Sequence, residues 1–72
     1  MSISYKKLWI LLIERDMTKS ELRKRAHLSP GVFTRLNKNE EVSLGALKSI
    51  CEILQCDIGD ICSFIVNNKI EG

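Results

Sequence analysis

Two closely spaced helix starts constrain the fold of this chain more than any other feature of its sequence. Thr18-Lys19-Ser20-Glu21 is a capping box, in which the Thr18 hydroxyl accepts from the Glu21 amide and the Glu21 carboxylate accepts from the Thr18 amide. Ser29-Pro30 begins the next helix, with Ser29 as N-cap and Pro30 at the first helical position, where no donor is needed. The pattern predicts short helices over residues 18 to 26 and 29 to 37, joined by a tight turn: a helix-turn-helix.

Three further helix starts surround this pair. Ser4 is a candidate cap for a first helix over about residues 5 to 15, Ser43 for a fourth helix and Asp57 for a fifth. Apolar residues at helical spacing follow each start: Tyr5, Leu8, Trp9 and Leu12; Leu44, Leu47, Ile50, Cys51 and Leu54; Ile58, Ile61, Cys62 and Ile65. The sequence therefore predicts an all-α, compact five-helix domain, and residues 64 to 66 either prolong the last helix or form a short extended tail.

The size of the chain excludes a multidomain enzyme. Its 72 residues, 44% of them apolar and 28% charged, predict one small soluble domain over residues 1–72, with a core over about 5–65 and a short tail over 66–72. A lone His27 and the lack of a Gly-rich phosphate loop argue against any enzyme, and we expect no cofactor and no small-molecule ligand.

The net charge of +2 is unevenly distributed. Residues 15 to 38 hold seven basic side chains against two acidic ones, a balance of +5, whereas the remainder holds four against seven, a balance of −3. A basic middle indicates a polyanionic partner, and nucleic acid is favoured over membrane because the stretch has no aromatic, leucine-rich face. An ordinary solvent-exposed charged face is the alternative.

The apolar run from residue 8 to residue 13 is too short to span a bilayer and precedes no cleavage site, so we expect a cytoplasmic protein with no membrane partner. Cys51, Cys56 and Cys62 are odd in number and lack paired zinc-site spacing. Inert thiols without a metal are the favoured interpretation, and metal binding or redox sensing is the alternative.

The second helix of the predicted pair has one outward face. If Phe33 and Leu36 point inward, the helical period turns another set of residues outward together, with Val32 at the margin. That set comprises Gly31, Thr34, Arg35 and Lys38. It is either a recognition surface or an ordinary solvent-exposed face.

These segments resemble a known family. Met17-Thr18-Lys19-Ser20-Glu21-Leu22, Ala26-His27-Leu28-Ser29 and Phe33-Thr34-Arg35-Leu36-Asn37 are similar to the helix-turn-helix of the Cro/repressor-type (XRE) transcriptional regulators. The resemblance continues through Val42-Ser43-Leu44 and the segment from residue 50 to residue 61, as in small stand-alone members with a cysteine-containing fourth helix. It covers about residues 5 to 65 and implies a lambda-repressor-like DNA-binding domain.

The resemblance also implies a function: sequence-specific binding of double-stranded DNA as a transcriptional regulator, and specifically as a repressor. The recognition helix, about residues 30 to 37, would enter the major groove, while the preceding helix crosses the backbone. Thr18 and Lys19 would contact phosphate, and Lys38 would touch the backbone. Ser29, Gly31, Thr34 and Arg35 would face the groove, with Arg35 able to donate two hydrogen bonds to guanine.

Three positions depart from the family pattern. His27 stands where the family most often has glycine at positive φ, and Arg23 stands where a small residue is usual, so its charged end must reach solvent or a phosphate. Pro30 and Gly31 replace polar base readers. Specificity would then depend on few base contacts, on DNA shape and on a duplicated half-site in a homodimer.

Surplus apolar residues motivate the homodimer: Ile10, Ile13, Phe64, Ile65, Val66 and Ile70. The alternative is that these residues close the monomer core. The second functional hypothesis is a protein-interaction module, antitoxin-like or regulator-binding, that keeps the fold without recognising an operator.

Overall fold

The computed structural model describes residues 1–66, in which four α-helices are followed by a 3₁₀ turn and a two-stranded sheet joins the two ends. Of the predicted tail over residues 66–72, residues 67–72, including Ile70, lie outside this range. The elements in chain order are β1 (Ser2–Ser4), α1 (Lys6–Glu14), α2 (Lys19–Arg25), α3 (Pro30–Asn37), α4 (Leu44–Leu54), the 3₁₀ turn (Ile58–Asp60) and β2 (Ser63–Ile65).

The three central helices begin where the capping residues predict. The Thr18 hydroxyl accepts from the Glu21 amide at 3.1 Å and completes a capping box at α2. Ser29 accepts from the amide three residues on, with Pro30 at the first position of α3, and Ser43 caps α4 in the same way. These predictions are confirmed. Each cap depends only on residues within one turn, which is why the local sequence indicates it.

The five-helix, all-α prediction is wrong in two places. The segment that Asp57 caps forms only a 3₁₀ turn, and the chain then extends into β2. β2 pairs antiparallel with the unpredicted β1, with Ile3 opposite Phe64. The sequence Phe64-Ile65-Val66 is aromatic and β-branched, a composition that suits a strand better than a helix. The fold is therefore mostly helical, with a small sheet that joins its two ends.

The first helix also begins differently from the prediction. Its N-cap is Tyr5 rather than Ser4, and Tyr5 makes no side-chain capping bond. The Ser4 hydroxyl still accepts from the Lys6 amide at 3.2 Å. Ser4 belongs to β1, so its backbone is committed to pairing with Ser63 and the helix starts one residue later.

One apolar core joins all four helices. Its fully enclosed side chains are Tyr5, Leu8, Leu22, Leu36, Ile50, Leu54 and Ile61. Three residues on the predicted inward stripes are instead exposed: Leu44 by 72%, Ile65 by 50% and Ile58 by 40%. Leu44 is the first residue of α4, and residues 1–66 leave most of its side chain uncovered. Within residues 1–66, no helix has the length and hydropathy needed to cross a membrane.

Candidate nucleic-acid interface

The turn between α2 and α3 bends through a left-handed residue. His27 has φ = 54°, and the amide of the buried Leu28 reaches back to the carbonyl oxygen of Arg23 at 3.0 Å. This backbone conformation favours glycine because it brings a Cβ close to the following carbonyl oxygen. The prediction that His27 stands at a position of positive φ is confirmed. The turn joins two short helices in a helix-turn-helix arrangement.

The outward face of α3 carries the predicted set of residues. Leu36 is fully buried and Phe33 is half-buried, so the helix packs through this side. Gly31, Thr34, Arg35 and Lys38 are all exposed. The predicted orientation of the helix is confirmed. This face offers a guanidinium, a hydroxyl and an ammonium group to a ligand.

The two capping hydroxyls lie at neighbouring helix starts. The hydroxyls of Thr18 and Ser29 each accept a hydrogen bond from one backbone amide. Each hydroxyl keeps its own proton, which it can donate to a phosphate oxygen. The Glu21 carboxylate accepts from the Thr18 amide at 2.9 Å. That bond lowers the pKa of Glu21 below its ordinary value, with the nearby cations of α2 adding to the effect.

Lys19 connects three helices. Its Nζ atom donates to Asn37 Oδ1 at 2.8 Å and lies 4.1 Å from the centroid of the Trp9 ring. The Asn37 amide in turn donates to the Phe33 carbonyl oxygen at 2.9 Å. The ammonium is thereby held at the junction of α1, α2 and α3, beside the last residue of α3. Asn37 and Trp9 were not among the predicted site residues, because both partners are remote in sequence from Lys19.

The basic side chains are not all on one surface. Lys24 and Arg25 are exposed on the last turn of α2, and Arg23 is half-buried there, as its predicted stem packing requires. Arg15, by contrast, donates to the carbonyl oxygen of Leu54 at the C-terminal end of α4. Arg15 is therefore used within the fold, and the basic surface is carried by α2, α3 and Lys38.

The loop after α3 is held from the opposite end of the chain. Asn39 has φ = 56°, and its side-chain oxygen accepts from the Tyr5 amide at 3.1 Å. The Tyr5 hydroxyl donates to the Glu40 carbonyl oxygen at 2.8 Å. Burial is the main cause that raises the pKa of Tyr5, so the phenol stays protonated and donates. These two contacts of Tyr5 were not predicted from the sequence. An Asn just after a helix end indicates a left-handed cap, but nothing local points to Tyr5.

The three cysteines lie outside α2 and α3, on α4 and on either side of the 3₁₀ turn. All three are half-buried free thiols. Burial, aided by the neighbouring Cys56, raises the pKa of Cys51 to about 11, and burial also raises the pKa of Cys62. Both thiols are thus protonated at neutral pH and weakly nucleophilic. Among residues 1–66, no His, Cys, Asp and Glu side chains cluster in a way that could hold a metal ion.

A left-handed turn between two short capped helices, with the second helix exposing a polar and basic face, defines a helix-turn-helix protein. The family model of the Cro/C1-type HTH DNA-binding domain matches residues 7–67. The chain belongs to this family.

A solved structure is also similar. The crystal structure of the transcriptional regulator VanUg, form II, superposes with a TM-score of 0.85 at 55% sequence identity. The match covers 86% of this chain and 83% of that chain. No curated protein matches.

Proposed function

We propose that this chain is a transcriptional regulator that binds double-stranded DNA sequence-specifically, with α3 in the major groove. The observation that carries the proposal is the exposed face formed by Thr34 and Arg35 of α3 and by Lys38 directly after it. The ammonium of Lys19 from α2 is bonded to the last residue of α3, Asn37. Membership of a family of DNA-binding domains supports it, as does the similarity to VanUg, which is a transcriptional regulator.

Phosphate contacts position such a domain on DNA without reading the bases. We assign this role to Thr18, Lys19, Arg23 and Lys38. Lys19 suits it because its ammonium is already held by Asn37 and Trp9, so little conformational freedom is lost when a phosphate binds. Lys38 follows α3 directly and lies beside the loop that Tyr5 holds.

Base reading falls to the exposed residues of α3 and its cap. Arg35 donates two parallel hydrogen bonds to O6 and N7 of a guanine, and the hydroxyls of Ser29 and Thr34 supply single contacts. Gly31 has no side chain, and the nearest atom to the place of a Cβ is Ser29 Oγ at 4.0 Å, so backbone and DNA can approach closely there. Pro30 and Gly31 provide no side-chain donors, and specificity is completed by DNA shape and by two half-sites read by a homodimer.

We propose that the regulator represses transcription. A dimer would bind two half-sites whose centres are about one helical turn apart, and it would compete with other proteins for promoter DNA that contains them.

Selection of bound sequences from a random duplex pool tests the proposal, because it measures binding, preference and half-site spacing together. We expect an enriched motif, with affinity falling as salt rises at a log–log slope of about −0.9 per neutralised phosphate. Arg35→Ala should cost about 1–3 kcal/mol and relax preference at one base pair. Lys38→Ala should weaken all sequences alike and reduce the slope by about 1. Lys6→Ala, an exposed lysine on α1, is the matched control.

The protein-interaction module remains the second candidate, and the lack of side-chain donors at Pro30 and Gly31 is the observation that favours it. The same experiment separates the two. If no motif is enriched and the affinity for DNA does not change with salt, DNA binding is rejected and a protein partner is favoured. An enriched motif that Arg35→Ala leaves unchanged would reject Arg35 as the reader.

A further inference from the structure

Two of the three cysteines lie at the two ends of one helix-ending turn. Cys51 is in the last turn of α4, Gln55 follows the helix in the left-handed conformation with φ = 53°, and Cys56 comes next. The Cys56 amide donates to the Cys51 carbonyl oxygen at 3.1 Å and closes the turn. In this type of helix end, the side chains of the two residues that the bond joins commonly contact each other.

The separation of these two cysteines suits a disulfide bond. With the Cys56 nitrogen 3.1 Å from the Cys51 oxygen, backbone bond lengths hold the two Cα atoms within about 7 Å. Cysteines whose Cα atoms are farther apart than this cannot be bridged without movement of the backbone. The side chains are also close, because Cys56 contributes to the raised pKa of Cys51. The two sulfur atoms can therefore be joined with little change in the backbone.

We propose that Cys51 and Cys56 form a reversible redox site, in which the two thiols close a disulfide by exchange with a low-molecular-weight disulfide. One cysteine thiolate attacks a sulfur of the small disulfide, forms a mixed disulfide and releases one small thiolate. The other cysteine loses its proton, attacks the cysteine sulfur of the mixed disulfide and releases the second small thiolate. The released thiolates take up the two protons that the cysteines lose, so the small disulfide is reduced and the cysteine pair is oxidised. Excess thiol reverses both steps.

Cys56 is the better placed of the two for the first attack. It borders an open hollow between α1 and the 3₁₀ turn, which Ile10 and Gly59 also line, so a small disulfide can reach it. Burial, with Cys56 adding to the effect, raises the pKa of Cys51 to about 11, and Cys51 is therefore a weak nucleophile towards a free reagent at neutral pH. In the mixed disulfide, Cys51 attacks a sulfur that already lies beside it, and this proximity offsets its small fraction of thiolate.

Cys62, the third thiol, is held by a different part of the fold. Its Sγ atom donates to the Ile58 carbonyl oxygen at 3.6 Å, and its backbone amide donates to the same oxygen at 3.2 Å. Burial raises the pKa of Cys62 as well. Because Cys62 is bonded to the 3₁₀ turn rather than to the end of α4, it is the matched control for the pair.

A disulfide at this position would hold the turn at the end of α4. The carbonyl oxygen of the buried Leu54, just before that turn, accepts from Arg15 at the end of α1, so the turn also helps to join the two helices. The bridge closes a short loop and removes conformational freedom from the unfolded chain, which stabilises the folded state. Neither cysteine lies on α2 or α3, so the inference is independent of DNA binding.

A count of free thiols after oxidation tests the site. The full chain is reduced, freed of reductant and incubated with oxidised glutathione, and the remaining thiols are alkylated and counted by intact mass spectrometry. We expect two of the three thiols to be lost in a monomer that carries no glutathione, and we expect dithiothreitol to restore all three. Three remaining thiols, bound glutathione as the only product, or a disulfide-linked dimer would overturn the proposal.

Serine variants identify the two cysteines of the bridge. Cys62→Ser should still close the disulfide and retain no free thiol, because it leaves the pair intact. Cys56→Ser should form no internal disulfide. A Cys56→Ser chain that still closes one would show that Cys62 is a partner and would overturn the pairing, as would a Cys62→Ser chain that fails to close.

Thermal unfolding tests the stabilising effect of the bridge. Oxidation of Cys62→Ser should raise its midpoint of unfolding by about 5 °C or more, and dithiothreitol should reverse the rise. The same treatment should give Cys56→Ser no comparable rise. An unchanged midpoint for the oxidised Cys62→Ser chain would contradict the proposed effect on the end of α4.

Discussion

The Tyr5 hydroxyl donates a 2.8 Å hydrogen bond to the carbonyl oxygen of Glu40, and this contact ties the start of α1 to the loop that follows α3. The Tyr5 amide reinforces it by donating to the side chain of Asn39 at 3.1 Å. The end of the proposed recognition helix is therefore anchored on a residue from the first strand–helix junction. Because Tyr5 is fully buried, the anchor moves only if the core moves with it.

Tyr5→Phe should lower the free energy of unfolding by about 1 kcal/mol, because it removes the hydrogen bond and leaves the Glu40 carbonyl oxygen without its donor. The ring keeps its packing, so no cavity contributes. Urea denaturation followed by circular dichroism measures the change. Glu40→Ala is the control, because it leaves the main-chain acceptor in place. Equal losses for the two variants would contradict the assignment of the contact.

His27→Gly should stabilise the protein by about 1 kcal/mol, because glycine adopts the left-handed conformation without the steric cost that a Cβ imposes. The side chain is exposed, so little packing is lost. Thermal unfolding measures the gain. His27→Ala keeps the Cβ and should give no comparable gain. If alanine stabilises as much as glycine, backbone strain is not the cause.

Gly31→Ala separates folding from DNA binding. A Cβ at Gly31 would meet only Ser29 Oγ, at 4.0 Å, so alanine should raise the free energy of unfolding by about 0.5 kcal/mol through helix propensity. If α3 lies in the major groove, the added methyl should also weaken binding to a selected operator.

Gly45 is the matched control for Gly31, because it holds the same position after the cap of α4 and its Cβ would meet Ser43 Oγ at 3.9 Å. Gly45→Ala should give a similar gain in stability with unchanged operator binding in a mobility-shift titration. Equal effects of both variants on binding would argue against close approach of DNA at Gly31.

The capping box of α2 predicts a dependence of stability on pH. The pKa of Glu21 is lowered by its hydrogen bond from the Thr18 amide, so its contribution to stability is present above the ordinary value of 4.5. That contribution is lost as the pH falls through the lower folded-state pKa. Glu21→Gln should flatten this part of the curve of unfolding free energy against pH. Glu52→Gln, on the exposed side of α4, should leave the curve unchanged.

The helix starts and the orientation of α3 could be predicted because they depend on short-range geometry. Thr18, Ser29 and Ser43 each cap an amide three residues away, and the face that carries Arg35 follows from the helical period once Leu36 points inward. The prediction of a fifth helix was wrong because the spacing of apolar residues from Ile58 to Ile65 does not distinguish a helix from a turn that leads to a strand. Residues 63 to 65 instead form a strand, because they pair with Ser2–Ser4 at the other end of the described chain.

The sequence by itself determined the family, the helix-turn-helix and the residues that α3 exposes. Only the tertiary structure decided which contacts hold these parts together. Lys19 contacts Trp9 and Asn37, Arg15 donates to the carbonyl oxygen of Leu54 at the end of α4, and Tyr5 donates to the loop after α3. It also decided that Leu44 and Phe64 lie exposed along one groove rather than in the core. Capping and periodicity operate over one helical turn, whereas these contacts join residues that come together only when the core forms.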